Sequence, residues 1–341
     1  MEKVEIVRES IKLVKISDKE YFGEQYKDYI SNSKLNLINP SQGGSPFKYL
    51  NHCFTSDLSD SLDLGTAVHT HLLQPGLFKI SDLRKPSAKL GFFIEEVFNY
   101  RKKGYNINKS IEYASNCTNY YNNKLTTNKL RKAIKQGLPF YIGRMHEKED
   151  QSIQTLYLSD SVYNKFTSCT ESLNSNKDVF NLLYPKSIFN SVEIYNEYAI
   201  FVDLDVTIDN KVKRLKFKAK LDNFTVDYET NKLVLNDLKT SGKPAYFFMG
   251  GYSKQSDNSK IWYDGSFQKY CYYRQLAVYL FLVNAWLLSE KNIKCKTSCN
   301  IILVETIPNY TSKIIPISNK YLKSGLIEFK KLIIEVAKIT I

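Results

Sequence analysis

Val234-Leu235-Asn236-Asp237-Leu238-Lys239-Thr240 starts like a buried strand and ends with a carboxylate and an ammonium two residues apart. Side chains alternate across a strand, so Leu233, Leu235, Asp237 and Lys239 share one face while Val234, Asn236 and Leu238 share the other. The acid and the base therefore point the same way. Neither charge is tolerated alone in a core, so the pair must meet a partner, a metal or solvent in a cleft. An isolated Asp-x-Lys is ordinarily a surface ion pair at a strand end. The preceding strand changes that reading.

Leu215-Lys216-Phe217-Lys218-Ala219-Lys220-Leu221-Asp222 alternates strictly, with Leu215, Phe217, Ala219 and Leu221 on one face and three lysines with Asp222 on the other. Asp237 and Lys239 follow Asp222 by 15 and 17 positions, across a connection carrying Asp227, Glu229, Thr230 and Asn231. Paired as a hairpin, the two strands bring three charged groups to one end of a sheet. Two carboxylates with water suit Mg2+ or Mn2+. A neighbouring lysine can orient or deprotonate a metal-bound water and offset charge building on a scissile phosphate.

The totals are those of a globular chain. At 341 residues it is long enough for one large domain or two modest ones, with 43% hydrophobic and 24% charged residues. Lys and Arg number 48 against 35 Asp and Glu, a net charge of +13, which suits a polyanionic partner such as nucleic acid. A Lys-, Asn- and Tyr-rich composition drawn from an AT-rich coding sequence explains the same charge without a partner. The opening MEKVEIVRESIKLVKISDKE has scattered charges and no apolar core, so no secretory signal is read and a cytoplasmic setting is expected. The apolar run from Leu276 to Leu288 contains Asn284 and is too short to span a bilayer. Six dispersed cysteines (Cys53, Cys117, Cys169, Cys271, Cys295, Cys299) read as free thiols in a reducing compartment.

Along the chain, residues 1–40 read as short helical or irregular segments, part of a leader over 1–45. A helix is expected over about 61–73, with His69 and His71 on it, closed by Gln74-Pro75-Gly76. The stretch from about 91 to 175 reads as a helical insertion. Period-two strands follow at Tyr198 to Val206, Leu215 to Leu221 and Leu233 to Lys239. A long helix over about 266–290, a strand at Asn300 to Val304 and a helix over about 320–338 complete the pattern. The expected architecture is α/β, a central mixed sheet flanked by helices, with one domain over 46–310 and a C-terminal helix in 311–341 packed on it.

Asp222, with Asp237-Leu238-Lys239-Thr240 after it, resembles the signature of the PD-(D/E)XK nuclease superfamily. Leu64-Gly65-Thr66-Ala67-Val68-His69, with Leu72, Leu73 and Pro75, resembles the helix that opens the nuclease domain in its exonuclease VIII (RecE-type) branch. Ile30 to Leu35 and Ser45-Pro46 are similar to the leader before that helix. Gln275-Leu276-Ala277-Val278-Tyr279 resembles the Gln-x-x-x-Tyr motif of RecB-like nucleases. The motifs keep their order over residues 30 to about 305, with Leu221 where the signature often has proline.

The resemblance implies a restriction-endonuclease-like core and a phage-encoded, Mg2+-dependent deoxyribonuclease, with Mn2+ able to substitute. It implies 5′→3′ exonuclease action on linear double-stranded DNA in recombination or end processing, a ring-shaped homo-oligomer and a single-strand-annealing recombinase as partner. Asp222, Asp237 and Lys239 would be catalytic. The metal would be held by His69, Asp222, Asp237 and the backbone carbonyl of Leu238, with Glu197, or next Glu193, as an upstream glutamate. Gln275, Tyr279, Arg274 and Lys220 would support the site or contact DNA. His71 lies about 200° round the helix from His69 and is excluded. Lys124, Lys129, Arg131, Lys132, Lys135 and Arg144 form either a solvated helix face or a duplex-gripping surface. Two alternatives stand: an endonuclease or single-strand-specific repair nuclease of the same superfamily, and a non-catalytic DNA-binding module on the same scaffold.

Overall fold

In the computed structural model, which describes residues 2–51, 59–120, 127–147, 153–186, 191–254 and 259–340, the chain opens with strand β1 (Lys3–Lys15) and short helices α1 (Asp18–Tyr21), α2 (Asn32–Leu35) and α3 (Pro46–Asn51). It continues through α4 (Asp60–Leu73), β2 (Phe78–Ile80), α5 (Ala88–Lys102), α6 (Ile107–Thr118), α7 (Thr127–His146), β3 (Gln154–Leu156), α8 (Asp160–Ser175) and α9 (Lys177–Leu183). Three long strands follow, β4 (Val192–Ile208), β5 (Lys211–Asp227) and β6 (Lys232–Ser241). The rest is α10 (Ala245–Phe248), β7 (Gly251–Lys254), β8 (Lys260–Tyr263), α11 (Ser266–Lys269), α12 (Tyr272–Glu290), β9 (Lys296–Glu305), β10 (Ser312–Pro316) and α13 (Asn319–Ile339). Cys53 and Lys124 lie outside the described residues. Among the described residues, no helix is long and apolar enough to cross a membrane.

Two units share the chain, one built from residues up to 54 and from Leu173 on, the other from the residues between. The first carries a six-stranded sheet in the order β1-β4-β5-β6-β9-β10. Every neighbouring pair is antiparallel except β6 with β9, which is parallel, so the sheet is mixed. A parallel return cannot be made by a tight turn, and α12 is the long helix within the crossover that joins these two strands. α12 and α13 cover one face of the sheet. Phe217 meets Phe329 of α13 at 5.2 Å between ring centroids, and Phe224 meets Trp286 of α12 at 6.3 Å. α12 has Leu276, Val278, Leu282, Val283 and Leu287 fully buried, as a helix enclosed by a sheet and a second helix requires.

Close packing of α12 and α13 depends on Gly325. A Cβ there would lie 2.5 Å from the Tyr273 carbonyl oxygen and 2.8 Å from the Arg274 Cα, both backbone atoms that cannot turn aside.

The start of the chain corrects the reading of residues 1–40 as helical or irregular. β1 pairs antiparallel with β4 from Lys3↔Thr207 to Lys15↔Tyr198, with a register shift between Val7 and Lys12. Ser10 occupies the irregularity, donating its Oγ hydrogen to the Val7 carbonyl at 2.6 Å and accepting from the Asp203 amide at 2.8 Å. A bulge of this kind breaks the period-two pattern that announces a strand.

The second unit is mainly helical. Phe93, Ile94, Val97, Ala114, Phe140 and Tyr157 form its core, and β2 pairs with β3 in a short parallel ladder. Lys85, 4% exposed, lies between Asp63 and Glu95 with its amine 4.2 Å from the centre of the Phe92 ring.

Gly325→Ala is expected to destabilise the protein by about 1–3 kcal/mol through overpacking, although alanine alone favours a helix by about 1 kcal/mol. Urea unfolding checks this, and an unchanged or higher midpoint would show that the two helices can part without cost.

Candidate active site

β5 and β6 pair from Asp227↔Lys232 to Asn223↔Asn236 and then part. β6 stays on β9 from Lys232↔Lys296 through Asp237↔Ile301 to Ser241↔Glu305, so β6 leaves β5 at the level of Asp222 and Asp237. The Asp222 carboxylate accepts the backbone N–H of Leu238 at 2.7 Å. It thereby satisfies a strand donor that has lost the neighbouring strand.

Glu197 stands opposite Asp222 on the other side of β5. It falls between the pairs Asn196↔Asn223 and Tyr198↔Leu221, with φ of 57°. A left-handed glutamate costs about 1–3 kcal/mol and is kept where surrounding structure compels it. Side-chain alternation also slips here. Leu215, Phe217, Ala219 and Leu221 join the core cluster, and beyond Asp222 the members are Phe224 and Val226, so the parity changes across this level. The slip corrects the simple two-faced strand read from the sequence.

The carboxylates are close, and two lysines stand among them. One oxygen each of Glu197 and Asp222 lie within 4.8 Å of one another. Lys220 Nζ sits 3.0 Å from Glu197 Oε2 and also pairs with Asp18. Lys239 Nζ sits 2.6 Å from Asp237 Oδ2. Gln275 Nε2 donates to Asp237 Oδ1 at 3.2 Å and to Tyr279 Oη at 3.1 Å. Burial works against the charge on Lys239, but the negative charges of Asp237 and then Asp222 outweigh it and hold the amine above the ordinary lysine range. Burial, followed by the Asp237 charge, pushes the Tyr279 hydroxyl far up. The face of the Tyr272 ring lies 5.0 Å from Lys239 Nζ.

Four carboxylates (Asp18, Glu197, Asp222, Asp237) gather here with the ammonium groups of Lys220 and Lys239. Hard carboxylate oxygens are the donors that Mg2+ and Mn2+ prefer. The donor set in this unit therefore fits such an ion.

Asp222, Asp237, Lys239, Glu197, Lys220, Gln275 and Tyr279 are brought to one region of the first unit. Glu193 is not in this group; its carboxylate accepts from the hydroxyls of Tyr195 and Tyr228 (2.8 Å for Tyr228). His69 lies on α4, in the second unit. Arg274 corrects an expectation. Its side chain is fully buried, and the guanidinium donates to Asn32 Oδ1 at 2.9 Å, Glu328 Oε1 at 2.8 Å and the Asn36 side chain. It ties α12 to α2 and α13 and has no surface with which to hold a phosphate. Lys220, 12% exposed at its side chain, neutralises Glu197 and Asp18 and is not an open DNA contact. In the second unit Arg144 is 9% exposed and packs its guanidinium against Phe98 and Tyr157, at 4.4 and 3.9 Å from the ring centres, with Glu95 at 3.3 Å. That removes it from a DNA-gripping face.

One device was not foreseen. Asn223 Nδ2 donates to Asn196 Oδ1 at 2.7 Å, Asn236 Nδ2 to Asn223 Oδ1 at 2.7 Å, and Asn300 Nδ2 to Asn236 Oδ1 at 3.0 Å. These residues are register partners on β4, β5, β6 and β9, so a buried amide row crosses four strands. Leu182 and Leu183 of α9 accept further bonds from Asn236 and Asn223 through their carbonyls. The signal was present: Asn196-Glu197, Asp222-Asn223 and Asn236-Asp237 each set an asparagine beside an acid.

No protein-family model matches the chain. No curated protein matches it either. Among solved structures, a similar chain is a "Putative exonuclease" from Eubacterium rectale, at 12% identity, covering 96% of this chain and 86% of that one with a TM-score of 0.47. A likeness at that level assigns no activity to this chain.

Asn236→Ala would leave the Asn223 oxygen without its donor and the Asn300 amide without its acceptor. The expected loss is about 1–3 kcal/mol, read as a lower urea midpoint; an unchanged midpoint would show that the amide row carries no weight.

Proposed function

We propose that the chain is a metal-dependent DNA exonuclease of the PD-(D/E)XK superfamily, in its exonuclease VIII (RecE-type)/RecB-like branch, hydrolysing linear double-stranded DNA from its ends with 5′→3′ polarity. The parting of β5 and β6 carries the reading, because at that level Asp222, Asp237 and Lys239 gather beside Glu197.

In this reading Asp222, Asp237 and Glu197 hold a divalent cation. The sequence resemblance adds the Leu238 carbonyl and, from the second unit, His69. When bound, Mg2+ or Mn2+ supplies Lewis acidity toward a phosphate oxygen and lowers the pKa of water. The chain's own groups do the rest. Lys239 is held charged by its two carboxylates, so it acts as a hydrogen-bond donor that orients the attacking water and offsets charge on the phosphate. Gln275 fixes the Asp237 carboxylate, and Tyr279 fixes Gln275. The water oxygen bonds to phosphorus as the bond to the departing sugar oxygen breaks; the water gives up a proton to solvent and the departing oxygen takes one from solvent, leaving a phosphate monoester and a free hydroxyl. A ring-shaped oligomer that retains the duplex, and a single-strand-annealing recombinase that takes the product, belong to the same proposal.

Linear duplex labelled at either end should be shortened with Mg2+ or Mn2+ and spared with chelator, while covalently closed circles stay intact. Cleavage of closed circles would instead favour an endonuclease. Asp237→Asn should lower turnover by at least about a thousandfold, with Mn2+ binding weakened in calorimetry and duplex binding retained. Lys239→Met should lower kcat by about a hundredfold or more with little change in Mn2+ affinity. Cleavage that survives chelator, or full activity in Asp237→Asn, would overturn the assignment.

A further inference from the structure

Between the lysine of β6 and the glutamine of α12 the chain inserts α10, the β7–β8 hairpin and α11. This insertion exposes large rings. Tyr246 is 69% exposed, Tyr252 69%, Trp262 46% and Tyr270 49%. Tyr252 and Trp262 are register partners across the hairpin, with ring centroids 5.0 Å apart. Lys260 and Lys269 are exposed among these rings, and Lys269 lies 5.6 Å from the centre of the Tyr270 ring. Among the described residues of 242–273 the acid is Asp264, and it accepts the Trp262 indole N–H at 2.9 Å.

The insertion is anchored to the candidate site by rings. Tyr270 contacts Tyr272 at 5.8 Å, and Tyr272 lies under Lys239. Phe248, 1% exposed, stacks on the other side of this anchor, 5.8 Å from Tyr272 at an interplanar angle of 15°. At the base of the hairpin, a side chain on Gly265 would collide with the backbone at Phe248 and Gly250. The exposed aromatic surface thus begins one ring away from the catalytic lysine.

We infer that this insertion is a stacking platform for an unpaired DNA strand adjoining the cleaved phosphate. The inference rests on the nuclease reading for its location and extends it to a strand-selective contact. A duplex hides the faces of its bases, whereas an unpaired strand presents them, and ring faces interleaved with lysines satisfy both bases and phosphates. A protein interface is also rich in aromatic rings, but lysine is depleted there, so the lysines among these rings favour a phosphate-bearing strand.

The test uses the full chain in chelator, so that nothing is cleaved, with fluorescein-labelled oligo-dT and a blunt duplex as probes. Tyr252→Ala and Trp262→Ala should each weaken oligo-dT binding about five- to a hundredfold in anisotropy and leave the blunt duplex unchanged. Trp262→Phe should restore most of the affinity. Oligo-dT should quench indole fluorescence in the parent protein and not in Trp262→Phe, because the other tryptophan, Trp286, is 8% exposed. Tyr246→Ser provides a second variant outside the hairpin should a hairpin variant fail to fold. Oligo-dT affinity unchanged in these variants, or an altered oligomer mass with unaltered affinity, would overturn the platform, the latter assigning the rings to a second copy. A parent protein that binds and quenches yet never cleaves would leave the platform standing and remove the nuclease.

Discussion

Like charges repel, and a sheet that gathers Glu197, Asp222 and Asp237 must compensate them or come apart. Lys220 and Lys239 each take a carboxylate partner at 3.0 Å or less, and the backbone amide of Leu238 takes another. Repulsion between like charges in a weakly solvated gap is strong, so these contacts are what lets the acids sit together. The same crowding explains why β5 and β6 part where they do. Their ladder ends at Asn223↔Asn236, with Asp222 and Asp237 next in line, whereas β5 stays on β4 past that level, from Leu221↔Tyr198 to Lys211↔Ile208.

The rest of the first unit holds that gap open. One residue away, four asparagines in register clamp β4, β5, β6 and β9 together, so the strands can part at the acids without fraying further. Buried amides of this kind specify register, because a shift by one residue would strand several polar groups at once. From the opposite side α12 presses Gln275 and Tyr272 onto Asp237 and Lys239, and Arg274 locks the helix through Asn32, Asn36 and Glu328. Adjacent residues of α12 thus divide the work: Arg274 fastens the helix, and Gln275 uses that anchorage to position a carboxylate.

Much of this was legible in the linear chain. Period two announced the middle strands, Asp222 and Asp237-x-Lys239 announced the acids and the amine, though these lie within β5 and β6 and not at strand ends as expected, and Gln275 with Tyr279 at i and i+4 had to share a helical face. Strand limits came out short because the alternation changes phase near Glu197 and Asp222, so the ends of β4 and β5 at Val192 and Asp227 fall out of step with the runs beside them. β1 escaped because its bulge at Ser10 destroys the period. Arg274 and Arg144 misled for a common reason. A cation in a sequence looks like a surface group, and nothing local tells that Glu328 lies 54 residues away, or Glu95 49 residues away, waiting to bury it.

Residue chemistry and periodicity, which are local, therefore set the elements and the identity of the groups at the site. Register and parting of strands are not local. Whether Asp222 meets Glu197, whether the ladder stops at Asn223, and whether four asparagines fall in one row depend on how strands separated by tens of residues slide against each other. That slide is settled by burial on both faces of the sheet and by the left-handed turn at Glu197, which follow from the packed fold as a whole.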